Sequence, residues 1–189
     1  MRERTNNDLT TPEWLLRRLW ALGAIMLDPC SNPWSEIGAC IELSTDRGQD
    51  GLTADWGVLI LERKMSLDAG GYAFVNPPYG RGHMGHWMSK IAQEAAKGVE
   101  VVALVPTSTD TSWWRTLRAS ATARVDLEKR IAFGGGNSGT GTFASTLFYC
   151  GARPYWFAHH FADLGEVHLY ASRVKHASPE PKQPDAVRV

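Results

Sequence analysis

The chain is poor in cysteine: Cys30, Cys40 and Cys150 are the three it has. They are too few and too scattered for a disulfide framework, and no Cys-x-x-Cys pair marks a structural zinc site. Excess charge of either sign is also missing, because 20 basic and 20 acidic residues cancel. A passive nucleic-acid coat protein would be basic, whereas an enzyme that touches a few phosphates need not be. No apolar run reaches membrane-spanning length, and the N-terminal MRERTNNDLTTPEW lacks the apolar core of a signal peptide. The expectation is a soluble, cytoplasmic protein with no membrane and no metal among its partners. The stretch GGGNSGTG is not a phosphate-binding Walker loop, since no Gly-Lys-Ser/Thr follows it.

The residues that are present suit a folded domain of 189 residues, with 43% hydrophobic positions. Residues 1–10 read as a loose polar arm, 11–171 as one domain and 172–189 as a disordered polar tail rich in proline. Thr11-Pro12-Glu13 opens a helix, with Thr11 as cap and Pro12 in the first turn; Trp14, Leu15, Leu19 and Leu22 follow at helical spacing. Short apolar runs at 24–27, 39–43, 72–75 and 99–105 read as strands, and helices are expected over 86–97, 111–119 and 154–164. Leu59-Ile60-Leu61 is apolar but runs into polar residues, and assigns itself to neither type. Residues 124–133 and 145–149 read as strands in a hairpin-like pair around the Gly-rich loop. Strands alternating with helices imply an α/β, doubly wound sheet with helices on both faces, whose ligands bind beyond the carboxyl ends of the strands.

Two loops sit at such strand ends: Asp28-Pro29-Cys30-Ser31 and Asn76-Pro77-Pro78-Tyr79. The second is the informative one. Proline has no N–H and pushes its predecessor into extended geometry. A stiff loop results, with acceptors at fixed places: the side-chain oxygen of Asn76 and the carbonyl of Pro77. An aromatic amine is a poor nucleophile because its lone pair is delocalised into the ring. Two acceptors that bind its two hydrogens favour a pyramidal nitrogen and aim the lone pair at a methyl donor, and those contacts strengthen as positive charge develops. Tyr79 offers a face on which an extruded base can stack, returning roughly 1–3 kcal/mol of an extraction cost of a few kcal/mol. The plain alternative is a Pro-Pro turn with Tyr79 as packing, yet the tetrapeptide arises by chance in only about one chain in a thousand of this length.

With these residues in order, the chain resembles the phage-type DNA N-6-adenine methyltransferases. Asn76-Pro77-Pro78-Tyr79 matches their catalytic signature, Thr11-Pro12 their N-terminal element, and Leu27-Asp28-Pro29-Cys30-Ser31 their first cofactor motif. Asp50-Gly51-Leu52 with Asp55-Trp56, the 102–106 strand followed by Thr109-Asp110-Thr111 and Trp113-Trp114, and the segments Arg130–Phe133 and Phe143–Ser145 match the rest. The similarity spans about residues 10–170. It implies a Rossmann-like, mostly parallel seven-stranded sheet with a terminal antiparallel hairpin, S-adenosylmethionine as methyl donor and adenine in double-stranded DNA as acceptor. The first motif departs from the Asp-x-Phe-x-Gly-x-Gly turn of many other amino methyltransferases. No insert is long enough for a separate recognition domain, so either sequence reading falls to short loops such as 80–86 and 134–142 or the protein is weakly specific.

The resemblance assigns catalysis to Asn76, Pro77, Pro78 and Tyr79, and cofactor binding to Thr11, Pro12, Asp28, Pro29, Cys30, Ser31, Asp50, Asp55, Trp56 and Asn76. Asp28 either binds the cofactor's ammonium group or caps its loop. Asp55 with Trp56 either holds the cofactor's adenine or forms a turn beside a core indole, and Asp50 either contacts ribose or makes an Asx turn. Glu42 is a further ribose candidate. Arg81, His83, Trp113, Arg115 and Arg130 are candidates for DNA contact. His83 and His86 lie three apart with no third ligand in view. A methyltransferase of another planar amine, an RNA base or a protein glutamine amide, stays open beside the DNA enzyme, as does a catalytically degenerate DNA-binding protein. A monomer and a homodimer are equally compatible with the sequence.

Overall fold

The computed structural model describes residues 10–67, 71–80, 82–134 and 143–170, with the backbone alone for 64–67. The expected arm (apart from Thr10), the expected tail, Arg81 and residues 135–142 of the Gly-rich loop lie outside the described residues. In chain order the elements are α1 (Glu13–Leu22), β1 (Ala24–Asp28), β2 (Ile41–Glu42), a 3-10 turn (Thr45–Arg47), α2 (Trp56–Leu67), β3 (Gly71–Val75), α3 (His83–Ala96), β4 (Val101–Pro106), α4 (Ser112–Ser120), β5 (Ala123–Leu127), β6 (Ser145–Cys150), α5 (Pro154–Phe161) and β7 (Gly165–Leu169).

The seven strands form one sheet in the order β2-β1-β3-β4-β6-β5-β7. The sheet is less parallel than expected. Strands β1 to β5 all run one way, but β6 inserts antiparallel between β4 and β5, and β7 adds antiparallel to β5. Only the pairings β1–β2, β1–β3 and β3–β4 are parallel. The expected hairpin-like pair is present as β5 against β6.

The central strands are apolar throughout because both of their faces are covered. Val101, Ala103 and Val105 of β4 join the core formed with Trp56, Met88, Ile91, Trp114 and Leu117 from α2, α3 and α4. Val102 and Leu104 point the other way, into the core formed with Leu15, Leu16 and Leu19 of α1 and Phe157 and Phe161 of α5. Each such full burial stabilises by roughly 1.5–3 kcal/mol.

Several expectations need correction. Trp14 is exposed, and Leu16 takes its place on the buried face of α1. Thr11 does not cap α1: Pro12 holds the cap position, in extended geometry, and among the described residues no side chain caps the helix. The ambiguous 59–61 run is the middle of α2, where Val58 and Leu61 face solvent and blur the helical period. The strand expected over 124–133 stops at Leu127, one register step before the Glu128 N–H bonds to the Leu164 carbonyl beyond the start of β7. Strand β7 was not expected; it is an edge strand with no fully buried residue and hence no strong pattern. Among the described residues no helix is long and apolar enough to cross a membrane.

Candidate active site

From β1 the chain steps outward to β2 and then returns past β1 to β3 on its other side. The connections therefore diverge at the carboxyl ends of β1 and β3, the place where open α/β sheets bind ligands. Both loops singled out in the sequence begin there: one at Asp28, the last residue of β1, the other at Asn76, the first residue after β3.

Asn76 is half-buried and its amide is held at both ends. Its Nδ2 donates to Thr11 Oγ1 at 3.1 Å, and its Oδ1 accepts from the Tyr79 hydroxyl at 2.6 Å. The Leu104 carbonyl of β4 lies 3.4 Å from the same hydroxyl. Burial, and next the neighbouring Cys30, push the Tyr79 phenol well above its usual range, so it stays neutral across physiological pH. Edge contacts seat its ring against Phe133 and Phe143, with centroids 5.9 and 5.5 Å away.

These two phenylalanines bracket the Gly-rich loop in sequence and become an aromatic wall in space. In sequence they mark only parts of a hairpin, and the one signal of the wall is their placement at both ends of one loop. A short antiparallel bridge fixes the wall. Thr10 N–H donates to the Gly134 carbonyl at 3.1 Å, and Gly134 N–H donates back at 3.0 Å. A Cβ at Gly134 would meet the Thr10 hydroxyl, which would have to rotate away. One bridge thus places Thr11 beside Asn76 and Phe133 beside Tyr79.

Across the crevice, Asp28 is 1% exposed. Its Oδ1 accepts from the Cys30 N–H at 3.1 Å and its Oδ2 from the Ser35 hydroxyl at 3.3 Å. These bonds cap the loop. Burial raises its carboxyl from 3.8 to about 7; the Cys30 N–H pulls the other way, and Glu42 pushes it further up. Glu42 ends β2 directly opposite Asp28, with Arg47 3.5 Å away. Cys30 links the two loops: the Asn76 backbone N–H is aimed at its sulfur, while burial and then Asp28 push the thiol above its usual range. Pro29 is buried, and the Ser31 N–H bonds to the Leu43 carbonyl at 2.9 Å. Flanking that bond, the Ser31 and Ser44 hydroxyls are buried with no hydrogen-bond partner among the described residues. A buried acid, a second carboxylate and two orphaned hydroxyls make a set suited to a ligand bearing both a cation and hydroxyl or carboxylate groups.

The middle segment is tied to this wall by the fold. Asp50 makes an Asx turn, accepting from the Leu52 N–H at 2.9 Å. Gly51 lies so close to the Pro29 carbonyl that no Cβ fits. Trp56 is fully buried and donates to the Gly51 carbonyl at 2.8 Å. Asp55 is exposed; the Val58 N–H first, then Lys97, hold its carboxyl below the usual range. Lys90 lies over the Trp56 ring and bonds to the Ala54 carbonyl at 2.6 Å and to Glu94 at 2.7 Å. The Asx turn of Asp50, the Val58 N–H bond to Asp55 and the burial of Trp56 match the turn readings, and Lys97 adds an ion pair to Asp55.

The candidates for DNA contact gather on one side of the sheet. His83 opens α3, Trp113 and Arg115 lie in the first turns of α4, and Arg130 follows β5, all beyond carboxyl ends of strands that run in the same direction. His83, Arg115 and Arg130 are exposed. Trp113 is half-buried, edge-on to Trp114, and Arg115 donates to the Asp110 carbonyl at 2.9 Å.

A family model described as DNA N-6-adenine-methyltransferase (Dam) matches residues 2–148. Among curated proteins no match is found. The matched span runs from the segment that holds Thr11 through both strand-end loops to the middle of β6, and the chain belongs to the DNA N-6-adenine-methyltransferase (Dam) family.

Proposed function

We propose that the protein transfers a methyl group from S-adenosylmethionine to the N-6 exocyclic amine of an adenine extruded from double-stranded DNA. The observation that carries this reading is the Asn76 side-chain oxygen, presented at the carboxyl end of β3 beside a neutral tyrosine and next to the Asp28 loop. Asn76 Oδ1 is an acceptor for one hydrogen of the target amine, and the Pro77 carbonyl is assigned the other. Both contacts strengthen as charge develops on nitrogen, which is where they lower the barrier. Tyr79 with Phe133 and Phe143 supplies the ring surface against which a purine is held.

When bound, S-adenosylmethionine supplies an electrophilic methyl group. Asp28 suits its ammonium, the Ser31 and Ser44 hydroxyls its carboxylate or ribose, and Glu42 the ribose diol; Pro29 and Cys30 shape the wall between them. His83, Trp113, Arg115 and Arg130, together with Arg81, are assigned to the DNA backbone around the extruded base. Residues 11–171 act as a single methyltransferase domain.

The test is incubation with S-adenosylmethionine and unmethylated genomic DNA, followed by nucleoside mass spectrometry. N-6-methyladenine is the expected product. Its absence, with cofactor binding confirmed by calorimetry, would move the acceptor to an RNA base or a protein glutamine. Absence of cofactor binding itself would favour a degenerate DNA-binding protein.

A further inference from the structure

We propose that Thr11 is a positioning residue for the reaction: its hydroxyl oxygen accepts from Asn76 Nδ2 and so anchors the amide with its oxygen left for the target amine. The inference rests on the adenine methyltransferase reading and adds a residue to it. An amide's oxygen and nitrogen are nearly the same size, so rotation by half a turn about the last side-chain bond costs little in packing. Chemically the two orientations are opposites. With the oxygen towards the crevice, Asn76 accepts a hydrogen from the target amine; with the nitrogen there, N–H meets N–H and the amine is repelled.

Two contacts hold the observed orientation, Nδ2 to Thr11 Oγ1 and Oδ1 from the Tyr79 hydroxyl. The second occupies the acceptor that the amine needs, so it has to give way when the base arrives. Thr11 is then the one side-chain partner left to the amide among the described residues. It is well placed for this. Thr11 is 4% exposed, its hydroxyl is not spent on capping α1, and the Thr10–Gly134 bridge fixes the backbone beside it.

Thr11→Val keeps the shape and removes the acceptor; Thr11→Ser keeps the acceptor. The expected result for Thr11→Val is a kcat about tenfold lower, the scale of one hydrogen bond. The Kd for S-adenosylmethionine and the KM for DNA stay within about twofold of wild type on this scale. Thr11→Ser restores kcat. In a nitrogen-labelled sample, the Asn76 side-chain amide protons exchange faster with water in Thr11→Val than in wild type or Thr11→Ser. An unchanged kcat and amide exchange in Thr11→Val would overturn the proposal. So would a loss carried by the S-adenosylmethionine Kd, which makes Thr11 a cofactor ligand, or a Thr11→Ser variant as impaired as Thr11→Val. If wild type itself makes no N-6-methyladenine, the functional reading has failed, and the amide-exchange comparison still reports on the contact.

Discussion

At the scale of single residues, two hydroxyls meet on the Asn76 amide, and on the proposed function they give the substitutions distinct signatures. Asn76→Ala removes a charge-stabilising acceptor, and kcat is expected to fall by about 10²–10³ while calorimetry shows S-adenosylmethionine still bound. A variant with near-normal turnover would show that the amide takes no part in the chemistry. Tyr79 combines two roles that substitution can separate. Tyr79→Ala deletes the ring, and steady-state kinetics should show a KM for DNA raised roughly ten- to hundredfold, from a stacking contribution of about 1–3 kcal/mol. Tyr79→Phe keeps the ring and deletes only the hydroxyl that rests on Asn76 Oδ1, so its kcat and KM should stay within about threefold of wild type. Equal, severe losses in both variants would mean that the hydroxyl, not the ring, is what the reaction uses.

At the scale of elements, the site is a junction of loops held by close backbone approach. The 50–52 turn presses on the β1 loop through Gly51 against Pro29, and Trp56 clasps it from below. Gly51→Ala forces a methyl group into the Pro29 carbonyl. Overpacking of this kind costs about 1–3 kcal/mol, and denaturant titration should show that loss together with weaker S-adenosylmethionine binding. Gly85 is the contrast: it lies exposed within α3, and a Cβ there meets nothing. Gly85→Ala should therefore stabilise by up to about 1 kcal/mol, through helix propensity alone. If both variants lost stability equally, the cost at Gly51 would not come from its contact with Pro29.

At the scale of the whole molecule, the buried Asp28 makes stability depend on pH, and on the proposed function it carries the same dependence into cofactor binding. Its carboxyl titrates near pH 7 in the fold but near 4 in an unfolded chain. Between those values the folded state holds a proton that the unfolded state releases, so stability falls as pH rises from about 4 to 7 and is level above. The isosteric Asp28→Asn escapes this cost. Thermal denaturation should find it close to wild type near pH 4 and clearly more stable at pH 8; a difference independent of pH would refute the assignment. Binding of S-adenosylmethionine to wild type should weaken as pH drops through 7, because the ammonium needs the ionised acid. The sequence by itself determined much of this protein. Apolar runs bounded by turn residues marked strands β1, β3, β4 and β6, and the Asn76–Tyr79 loop stood out as stiff, because a Pro-Pro pair after a strand leaves few conformations open. Local patterns of this kind are legible since they depend on neighbours in the chain. What tertiary structure decided depends on residues far apart: the insertion of β6 between β4 and β5, the burial of Asp28 that shifts its proton, and the meeting of Thr11 with Asn76, 65 positions away. A hydroxyl at Thr11 looks the same in sequence whether it caps a helix or accepts from the Asn76 amide, and only the fold, with its bridge from Thr10 to Gly134, settles which.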